Sequence, residues 1–354
     1  MSVLPLAREP SHTATFVMSN ILPEISELYN PSSANTRVLG ERSFREWLWW
    51  HALSCVNIFF MTTTEQHEIL STRTALFAPL TRPDRVRKAL AASPAIADLE
   101  DAVGPEDKNS ARGNLAELLG DVPRGRLTVR INDIATEVGQ ADVAELARCL
   151  EATRGTAGAA TGEDTDHASA APFAVMIPKA ESAGQVMKVS ERLPEIPIVA
   201  LIETARGVAD STELATCTPV VRLALGALDL AVDLGCEPQG AAMSLARANV
   251  VLSSRLGNLP APLDSPEPDV RNAPATEGAA HRAIADGFGG MLCLHPAQAQ
   301  IIAKAYLPSQ ADVEWAKEVL AVTDGVGTVG GQMVDRPVKL RAERILKDAE
   351  RAVS

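Results

Sequence analysis

The chain repeats one pattern from residue 71 onward: a short apolar run, bounded by polar residues or glycine, is followed by a longer stretch with apolar residues at helical spacing. Continuous apolar runs that alternate with such helices are typical of parallel strands covered on their outer side. Eight successive units predict an α/β fold, a (β/α)8 TIM barrel, rather than an open sheet. The eight predicted strands are 75–80, 95–101, 127–132, 173–179, 196–203, 220–229, 260–265 and 289–296.

Two local signals refine the barrel prediction. The seventh run, PAPLDS, contains two prolines, which have no backbone N–H to donate to a sheet, so we expect the weakest strand there. The glycine pattern GxGxxG follows none of the runs, so the sequence does not favour a dinucleotide-binding sheet.

The barrel accounts for residues 71–305, and three further segments differ from it in composition. Residues 1–65 hold three of the four tryptophans, and we expect an N-terminal extension that is disordered or that precedes a true start at Met61. Its apolar stretch is shorter than the roughly 20 residues that span a bilayer. Residues 153–172, rich in Ala, Gly and Thr, predict a flexible insert. Residues 306–354 predict a C-terminal helical segment.

Composition limits the classes of partner. The chain has 354 residues, 46% of them hydrophobic, and a formal net charge of −12, without a basic block. An acidic chain of this kind argues against nucleic acid or an anionic membrane as a partner. The cysteines are odd in number and lack CxxC spacing, so neither disulfides nor a zinc site is predicted, and we expect a cytoplasmic protein. The cysteines are Cys55, Cys149, Cys217, Cys236 and Cys293.

Two carboxylates, Glu203 and Asp229, end successive predicted strands. The carboxyl ends of barrel strands form the rim at which active sites lie, so we expect the two acids to converge there. Paired carboxylates suit Mg²⁺, with Mn²⁺ as the alternative ion, when water and substrate oxygens fill the other positions. The alternative for each acid is that it only caps the helix that follows.

Other charged residues follow the remaining predicted strands. Glu100 and Asp101 follow the second strand, Arg130 lies in the third, and Lys179 follows the fourth. Burying these charges costs several kcal/mol each unless they pair or bind a ligand. We expect Arg130 to hold a carboxylate bidentately with its planar fork; the alternative is an ion pair with Glu100.

For two of these positions a structural role competes with a functional one. Lys179 could pair with Glu181, two residues away. His295, which follows the last strand and precedes a proline, is expected to hold a backbone carbonyl rather than to act in chemistry.

A series of motifs resembles a known family. In order along residues 71–350, the motifs are similar to the signatures of the citrate lyase beta subunit group within the HpcH/HpaI aldolase family. The motifs are RTALFAPLTRPDRVRKAL, DLEDAVGPEDKNSAR, VRIN, IPK, LIETARGV, GALDLAVDLG, LHPAQ and GGQMVDRP.

This resemblance implies a Mg²⁺-dependent barrel that forms homotrimers or hexamers. It implies that Glu203 and Asp229 bind the metal and that Arg73 and Arg130 bind a substrate carboxylate or carbonyl. It also implies that Asp335, in the motif QMVDRP, reaches into the site of a neighbouring subunit. The segment 306–354 would then complete that neighbour's site.

The implied reaction is the reversible cleavage of the carbon–carbon bond of a 3-hydroxyacyl-CoA, such as citryl-CoA, malyl-CoA or citramalyl-CoA. The products are a 2-oxo acid and acetyl-CoA or a related acyl-CoA. Arg130 would stabilise the developing charge, and Asp335 would act as the acid in cleavage. Glu100 and Asp101 would line the substrate site. The alternative for Asp335 is a helix N-cap before Pro337.

Other functions stay open. The same scaffold could serve as a thioesterase on malyl-CoA or citryl-CoA, with water attacking the thioester. It could also serve as a 2-oxo-acid aldolase that does not use CoA, although DLEDAV and MVDRP favour the citrate lyase branch. A scaffolding or regulatory role without catalysis is the function that the intact acids and arginines support least.

Overall fold

The structure is a computed structural model that describes residues 67–157, 173–322 and 327–351, without the side chains of 153–157 and 351. The chain divides into the units Met1–Phe59 and Phe60–Ser354, and all described residues belong to the second. The predicted N-terminal extension therefore lies outside the described residues, as do residues 158–172 of the predicted insert.

Eight parallel strands close into a barrel in which each strand pairs with its neighbours in sequence and β1 pairs with β8. Each of the eight predicted runs overlaps one strand, so the predicted (β/α)8 barrel is confirmed. The strands are β1 (Thr74–Pro79), β2 (Ala95–Asp98), β3 (Leu127–Arg130), β4 (Ala174–Ile177), β5 (Ile198–Ile202), β6 (Val220–Leu225), β7 (Leu263–Asp264) and β8 (Gly290–Cys293).

The strands read as continuous apolar runs because both of their faces are buried. In β5, Ile198, Ala200 and Ile202 pack in the outer layer against the helices, whereas Val199 and Leu201 pack inside the barrel. Alternate residues of a strand point to opposite faces, so one run supplies both layers of the core.

Strand β7 is as weak as its prolines predict. It has two residues and pairs with β6 only through Leu263. Pro262 cannot donate, but its carbonyl accepts a hydrogen bond from Gly289 N at 2.8 Å. The proline therefore still contributes an acceptor to the pairing of β7 with β8.

Helices cover the outside of the barrel. Several begin at a side-chain cap that the sequence places there, such as the capping box of Ser182 and Gln185. The helices are α1 (Pro83–Ala92), α2 (Lys108–Gly113), α3 (Leu115–Asp121), α4 (Glu137–Ala157), α5 (Ala183–Arg192), α6 (Ala205–Ala209), α7 (Ser211–Thr216), α8 (Ala227–Leu234), α9 (Ala241–Leu256), α10 (Ala273–Asp286), α11 (Pro296–Ala305), α12 (Gln310–Ala321) and α13 (Arg336–Arg351).

Helix α4 reaches Ala157, so the first five residues of the predicted insert, 153–157, are helical. Within the described ranges, no helix is long and apolar enough to cross a membrane.

The segment 67–72 closes the N-terminal end of the barrel. The buried His67 contacts the carbonyl of Leu127 through Nε2 at 3.0 Å. The fully buried Arg222 of β6 donates to the carbonyls of Ile69 and Thr72, at 2.6 and 3.0 Å. Its Nε donates to the carbonyl of Ala261 at 2.9 Å. These bonds tie the segment to the strands above it.

The C-terminal segment has its own small core. Helices α12 and α13 flank a hairpin of β9 (Gly327–Val329) and β10 (Gln332–Val334). Its turn residues Gly330 and Gly331 have φ of 58° and 79°, the left-handed values that a two-residue hairpin turn requires. Apolar side chains from both helices and the hairpin then pack together: Ala316, Val319, Val334 and Ala342.

Candidate active site

The mouth of the barrel holds Glu203, which directly follows β5 and is 2% exposed. Asp229 is exposed and lies in the first turn of α8. The apolar run 220–229 predicts one strand that ends on Asp229, and this is wrong. Strand β6 ends at Leu225 and the chain turns at Gly226, so the acid reaches the mouth from a helix.

Gly226 allows this turn to approach Glu203. A Cβ atom at position 226 would lie 2.6 Å from Glu203 Oε2 and 2.9 Å from Glu203 Cβ. Any other residue would force the carboxylate or the start of α8 to move. The glycine therefore brings the two predicted metal ligands to the same side of the mouth.

The Glu203 carboxylate is in an unfavourable environment for a negative charge. Burial is the largest cause that raises its pKa to about 7, and the charges of Glu100 and Asp229 act in the same direction. Lys179 opposes this shift through its charge and through its backbone N–H, which donates to Glu203 Oε1 at 2.8 Å. A cation beside Glu203 would stabilise the ionised form.

The donor set fits a hard divalent cation. Glu203 and Asp229 supply two carboxylates, and the described hydrogen bonds of the Glu203 side chain use Oε1 only, which leaves Oε2 for a ligand. In the described ranges, the mouth included, no group of three or more His, Cys, Asp or Glu side chains could hold a metal ion. An ion held here would take its remaining ligands from water and substrate, as Mg²⁺ usually does.

Arg130, at the end of β3, is held by acids. Its Nε and Nη2 donate to the two oxygens of Asp98 at 2.8 and 2.7 Å, so Asp98 occupies the bidentate fork that the sequence assigns to substrate. Its Nη1 lies 2.8 Å from Glu100 and 3.2 Å from Asp101. The guanidinium also stacks 4.7 Å from the ring centre of Phe77. The alternative pairing with Glu100 is therefore present.

Glu100 and Asp101 lie at the same rim. Glu100 Oε1 accepts from Lys179 Nζ at 2.8 Å, and its buried Oε2 contacts Arg130 without a hydrogen bond of good geometry. Burial, as the largest cause, raises the pKa of Glu100 although both cations oppose the shift. The side chain of Asp101 is 64% exposed.

Lys179 pairs with acids from other strands rather than with Glu181. Its Nζ lies 2.8 Å from Glu100 and 3.6 Å from Glu203. Its backbone has φ of 45°, in the left-handed region that a non-glycine residue seldom adopts. Burial lowers the pKa of Lys179, but the hydrogen bond and charge of Glu100, with the charge of Glu203, outweigh it and raise the pKa overall.

A second lysine, Lys108, supports the rim, and the sequence patterns above do not single it out. Its Nζ donates to the carbonyls of Leu99 and Glu100 and to Asn132 Oδ1, each at 2.7 Å. Asn132 in turn donates to the fully buried Asp142. The available sequence signal is the motif DLEDAVGPEDK, in which the lysine follows the acids at a short distance.

Arg73 lies at the opposite end of the barrel. It immediately precedes β1, and its Nη1 donates to the carbonyl of Gly289 at 2.9 Å, at the start of β8. Its Nη2 donates to Asp348 of α13 at 2.6 Å. The predicted substrate contact of Arg73 is wrong for the mouth of the same chain, because residues before a barrel strand lie at the N-terminal end.

Asp335 is exposed and caps α13. Its Oδ1 accepts from Val338 N at 3.1 Å, which is the alternative role expected from the sequence. Near the other end of this helix, Asp348 contacts Arg73 at the N-terminal end of the barrel. The described contacts of Asp335 do not include the mouth of its own chain.

His295 has a structural role, as expected, but as an acceptor: its Nδ1 accepts from Ala297 N at 3.2 Å. It also lines a cavity of about 390 Å³ beside β1. Phe77 lies on one side of this cavity, and Arg85 and Lys88 of α1 contribute two cations. The cavity opens next to the end of β1.

The fold and the site together define a class, the (β/α)8 barrels with an acidic, cation-accepting mouth. A sequence model of the HpcH/HpaI aldolase/citrate lyase family matches residues 156–296. The citrate lyase subunit beta-like protein of Mycobacterium tuberculosis is 37% identical over 291 residues, which cover 79% of this chain and 96% of that protein. The chain belongs to the HpcH/HpaI aldolase/citrate lyase family, and the prediction of a carbon–carbon lyase is confirmed at the level of the family.

Two relatives from Cereibacter sphaeroides carry different names. A (3S)-malyl-CoA thioesterase is 29% identical over 297 residues, 80% of this chain and 96% of its own length. An L-malyl-CoA/beta-methylmalyl-CoA lyase is 28% identical over 319 residues, 78% of this chain and 94% of its own length.

Among solved structures, protein CitE from Mycobacterium tuberculosis in complex with magnesium, acetoacetate and coenzyme A has a TM-score of 0.65 and 32% sequence identity. The match covers 79% of this chain and 98% of CitE. The predicted Mg²⁺ and the CoA part of the predicted thioester substrate agree with the magnesium and coenzyme A that this relative binds.

Proposed function

We propose that the chain is a Mg²⁺-dependent lyase that reversibly cleaves the carbon–carbon bond of a 3-hydroxyacyl-CoA. Citryl-CoA, malyl-CoA and citramalyl-CoA are the candidate substrates, and the products are a 2-oxo acid and acetyl-CoA or a related acyl-CoA. The observation that carries this proposal is the buried Glu203, with its pKa raised to about 7, beside Asp229 in the mouth of the barrel.

The reaction breaks the bond between C2 and C3 of the thioester. The C3 hydroxyl gives its proton to solvent water and becomes the carbonyl of the 2-oxo acid, and C2 leaves as a thioester enolate that takes up a proton. Glu203 and Asp229 would hold the Mg²⁺, which would supply Lewis-acid stabilisation of negative charge on oxygen. Arg130 contributes positive charge at the same rim and, held by Asp98, keeps its orientation during the reaction.

The proton for the enolate is proposed to come from Asp335 of a neighbouring subunit. Asp335 is exposed at the start of α13, thirteen residues before Asp348, so roughly 20 Å of helix separates it from the N-terminal end of its own barrel. An exposed acid at this position is available to a second copy of the chain. This assignment goes with the proposed homotrimer or hexamer.

The cavity beside β1 supports a CoA thioester as the substrate. Arg85 and Lys88 provide two exposed cations for phosphate groups, and Phe77 provides an apolar wall that continues to Arg130.

The four described cysteines are free, which supports the proposed cytoplasmic location.

A thioesterase is the second candidate, because the thioesterase and lyase relatives are almost equally similar to this chain. In that reaction water attacks the thioester carbonyl, and free CoA leaves with the hydroxy acid intact. The same metal site and CoA cavity would serve both reactions.

An assay of the full-length protein separates these candidates. Purified protein with Mg²⁺ is given each of the three CoA thioesters, and the 2-oxo acid, acyl-CoA and free CoA are measured separately. A 2-oxo acid with acyl-CoA identifies a lyase, and free CoA with intact hydroxy acid identifies a thioesterase. Absence of Mg²⁺-dependent turnover on all three would refute both and leave the CoA-independent aldolase.

Two conservative variants test the metal site. Glu203→Gln and Asp229→Asn keep the side-chain shape but remove a charged metal ligand, so we expect turnover to fall at least about 100-fold. The thermal midpoint should stay within a few degrees of wild type, because the amide oxygen introduced by Glu203→Gln can still accept from Lys179 N. Asp269→Asn, at an exposed acid, serves as the control. If either site variant kept wild-type turnover, the residue substituted in that variant would be excluded as a metal ligand.

A further inference from the structure

Three cations contact the oxygens of the mouth, and they differ in how many donors remain for a ligand. Arg130 uses all three of its nitrogens on Asp98, Glu100 and Asp101, and its side chain is 9% exposed. The ammonium of Lys108 has three donors, and its three acceptors each lie at 2.7 Å. The Lys108 ammonium therefore has no donor left for an incoming anion. The Arg130 guanidinium keeps one further N–H on Nη2, but its side chain is almost fully buried.

Lys179 differs from both. Its side chain is 40% exposed, and its ammonium makes one hydrogen bond, to Glu100, in the described part of the chain. The second contact, to Glu203, is an ion pair at 3.6 Å. Two of the three N–H donors therefore remain for a ligand in the mouth.

The position of Lys179 is fixed from the backbone. Its N–H donates to Glu203 and its main chain is left-handed, so the start of the side chain cannot move away from the metal ligands. The flexible four-carbon stem still lets the ammonium turn within the mouth. Glu100 would keep its contact with Arg130 if Lys179 turned toward a ligand.

The negative charge of the surrounding carboxylates gives the Lys179 ammonium a role in substrate binding. Five carboxylates approach the mouth, and a substrate that carries its own carboxylate would be repelled by them without a nearby cation. The five are Asp98, Glu100, Asp101, Glu203 and Asp229.

We propose that Lys179, rather than Arg130, binds the carboxylate of the 2-oxo acid half of the substrate and selects for an acid at that end. This inference deepens the proposed function and depends on it for the identity of the substrate. Lys179 stands 3.6 Å from Glu203 Oε1, so a carboxylate that reaches the ion held by Glu203 also lies within reach of the ammonium.

A simpler role for Lys179 is to hold Glu203 in place. The two roles differ in what a substitution does to Mg²⁺ binding. If Lys179 binds substrate, its removal weakens binding of the 2-oxo acid and leaves Mg²⁺ affinity unchanged or higher, because a competing positive charge is gone. If Lys179 only holds Glu203, Mg²⁺ affinity falls.

The test compares Lys179→Met and Lys179→Arg with the control Lys188→Met, at an exposed lysine of α5. Calorimetry measures Mg²⁺ alone, pyruvate and oxaloacetate at saturating Mg²⁺, and CoA alone. We expect Lys179→Met to weaken 2-oxo acid binding by about 10- to 100-fold, the range of a charge-assisted hydrogen bond. CoA binding should stay unchanged, and Lys179→Arg should recover part of the loss.

Several results would overturn the inference. A change of less than about threefold in 2-oxo acid affinity for Lys179→Met, or a parallel loss of Mg²⁺ affinity, excludes substrate binding by Lys179. Absence of 2-oxo acid binding by the wild type also overturns it. The proposed lyase activity is judged separately: a wild type that binds 2-oxo acids with Mg²⁺ but releases none from the three thioesters would refute the activity and keep the assignment of Lys179.

Discussion

At the scale of the residue, buried titratable groups behave differently at the two ends of the barrel. In the mouth, Glu203 has a raised pKa and spare ligand positions, which suits a group that binds a cation. At the N-terminal end, both ring nitrogens of His67 already have protein partners. Its Nε2 contacts a carbonyl and its Nδ1 accepts from Ile69 N at 3.1 Å. Burial is the largest cause that lowers the pKa of His67 to about 4. Glu203 is the proposed metal ligand, whereas the hydrogen bonds of His67 join the N-terminal segment to the barrel.

His67 makes the stability of the protein sensitive to acid. Its pKa is about 4 in the folded chain and about 6.5 when unfolded, so the unfolded state binds more protons between these values and the free energy of unfolding falls as pH falls. From pH 7.5 to pH 5 this group accounts for about 2 kcal/mol. Denaturant unfolding of His67→Gln should show a pH difference smaller by that amount.

The exposed His281 provides the control, and His281→Gln should keep the full pH difference of the wild type. An unchanged pH difference in His67→Gln would mean that His67 can become charged without disturbing the fold.

Individual residues also show how far the sequence could predict the site. Glu203 was predictable because a bare acid that ends an apolar run must lie at the rim of the barrel. The partners of Lys179 were not, because they depend on a left-handed backbone and on strands 24 and 79 residues away. The assignment of Arg73 to the mouth was wrong because a motif match identifies a residue but does not show at which end of the strand it lies.

At the scale of the element, the turn between β6 and α8 positions Asp229 relative to Glu203, the two proposed metal ligands. The sequence places Asp229 in an apolar run and therefore in a strand, since no polar residue stands between Leu223 and Asp229 to mark the start of a helix. The sequence shows a glycine in this turn, but only the structure shows why it is required, because the Glu203 carboxylate approaches position 226 too closely for a side chain. The hairpin before α13, by contrast, is indicated by Gly330 and Gly331, although the composition of 306–354 as a whole predicts a helical segment.

Gly226→Ala tests this turn. The new methyl group would lie 2.6 Å from Glu203 Oε2, so we expect Mg²⁺ affinity and turnover to fall at least about tenfold, with a loss of about 1 to 3 kcal/mol in stability from overpacking. Titration with Mg²⁺ and denaturant unfolding measure the two effects.

Gly278→Ala is the matched control, because a Cβ there meets nothing within 4 Å and the residue lies in α10. It should leave Mg²⁺ binding unchanged and stabilise the helix slightly. Equal Mg²⁺ affinity in Gly226→Ala and wild type would show that the turn does not constrain Glu203.

At the scale of the whole molecule, the proposed active site contains residues of two chains. Glu203 and Asp335 would then act in one site while belonging to different copies. Such a site makes two inactive variants able to complement each other.

Mixing Glu203→Gln with Asp335→Asn should restore activity after dissociation and reassembly. A mixed oligomer contains sites in which the barrel has an intact Glu203 and the neighbour has an intact Asp335, so we expect up to about one quarter of wild-type activity from random pairing of equal amounts. Each variant alone should stay inactive under the same treatment. If both residues served the same chain, mixing would restore nothing, and full activity of Asp335→Asn alone would exclude the acid.

The bonds of Arg222 have a consequence for the order in which the protein can fold during synthesis. Its partner Ile69 is made 153 residues earlier, and the N-terminal strand must also wait for Gly289, 216 residues after Arg73. No early portion of the barrel can complete its end while the ribosome is still adding strands, because contacts this distant in sequence form only when both partners exist. Closure of the barrel is thus deferred until nearly the whole barrel has been synthesised, and the apolar strands already made stay partly exposed during that interval.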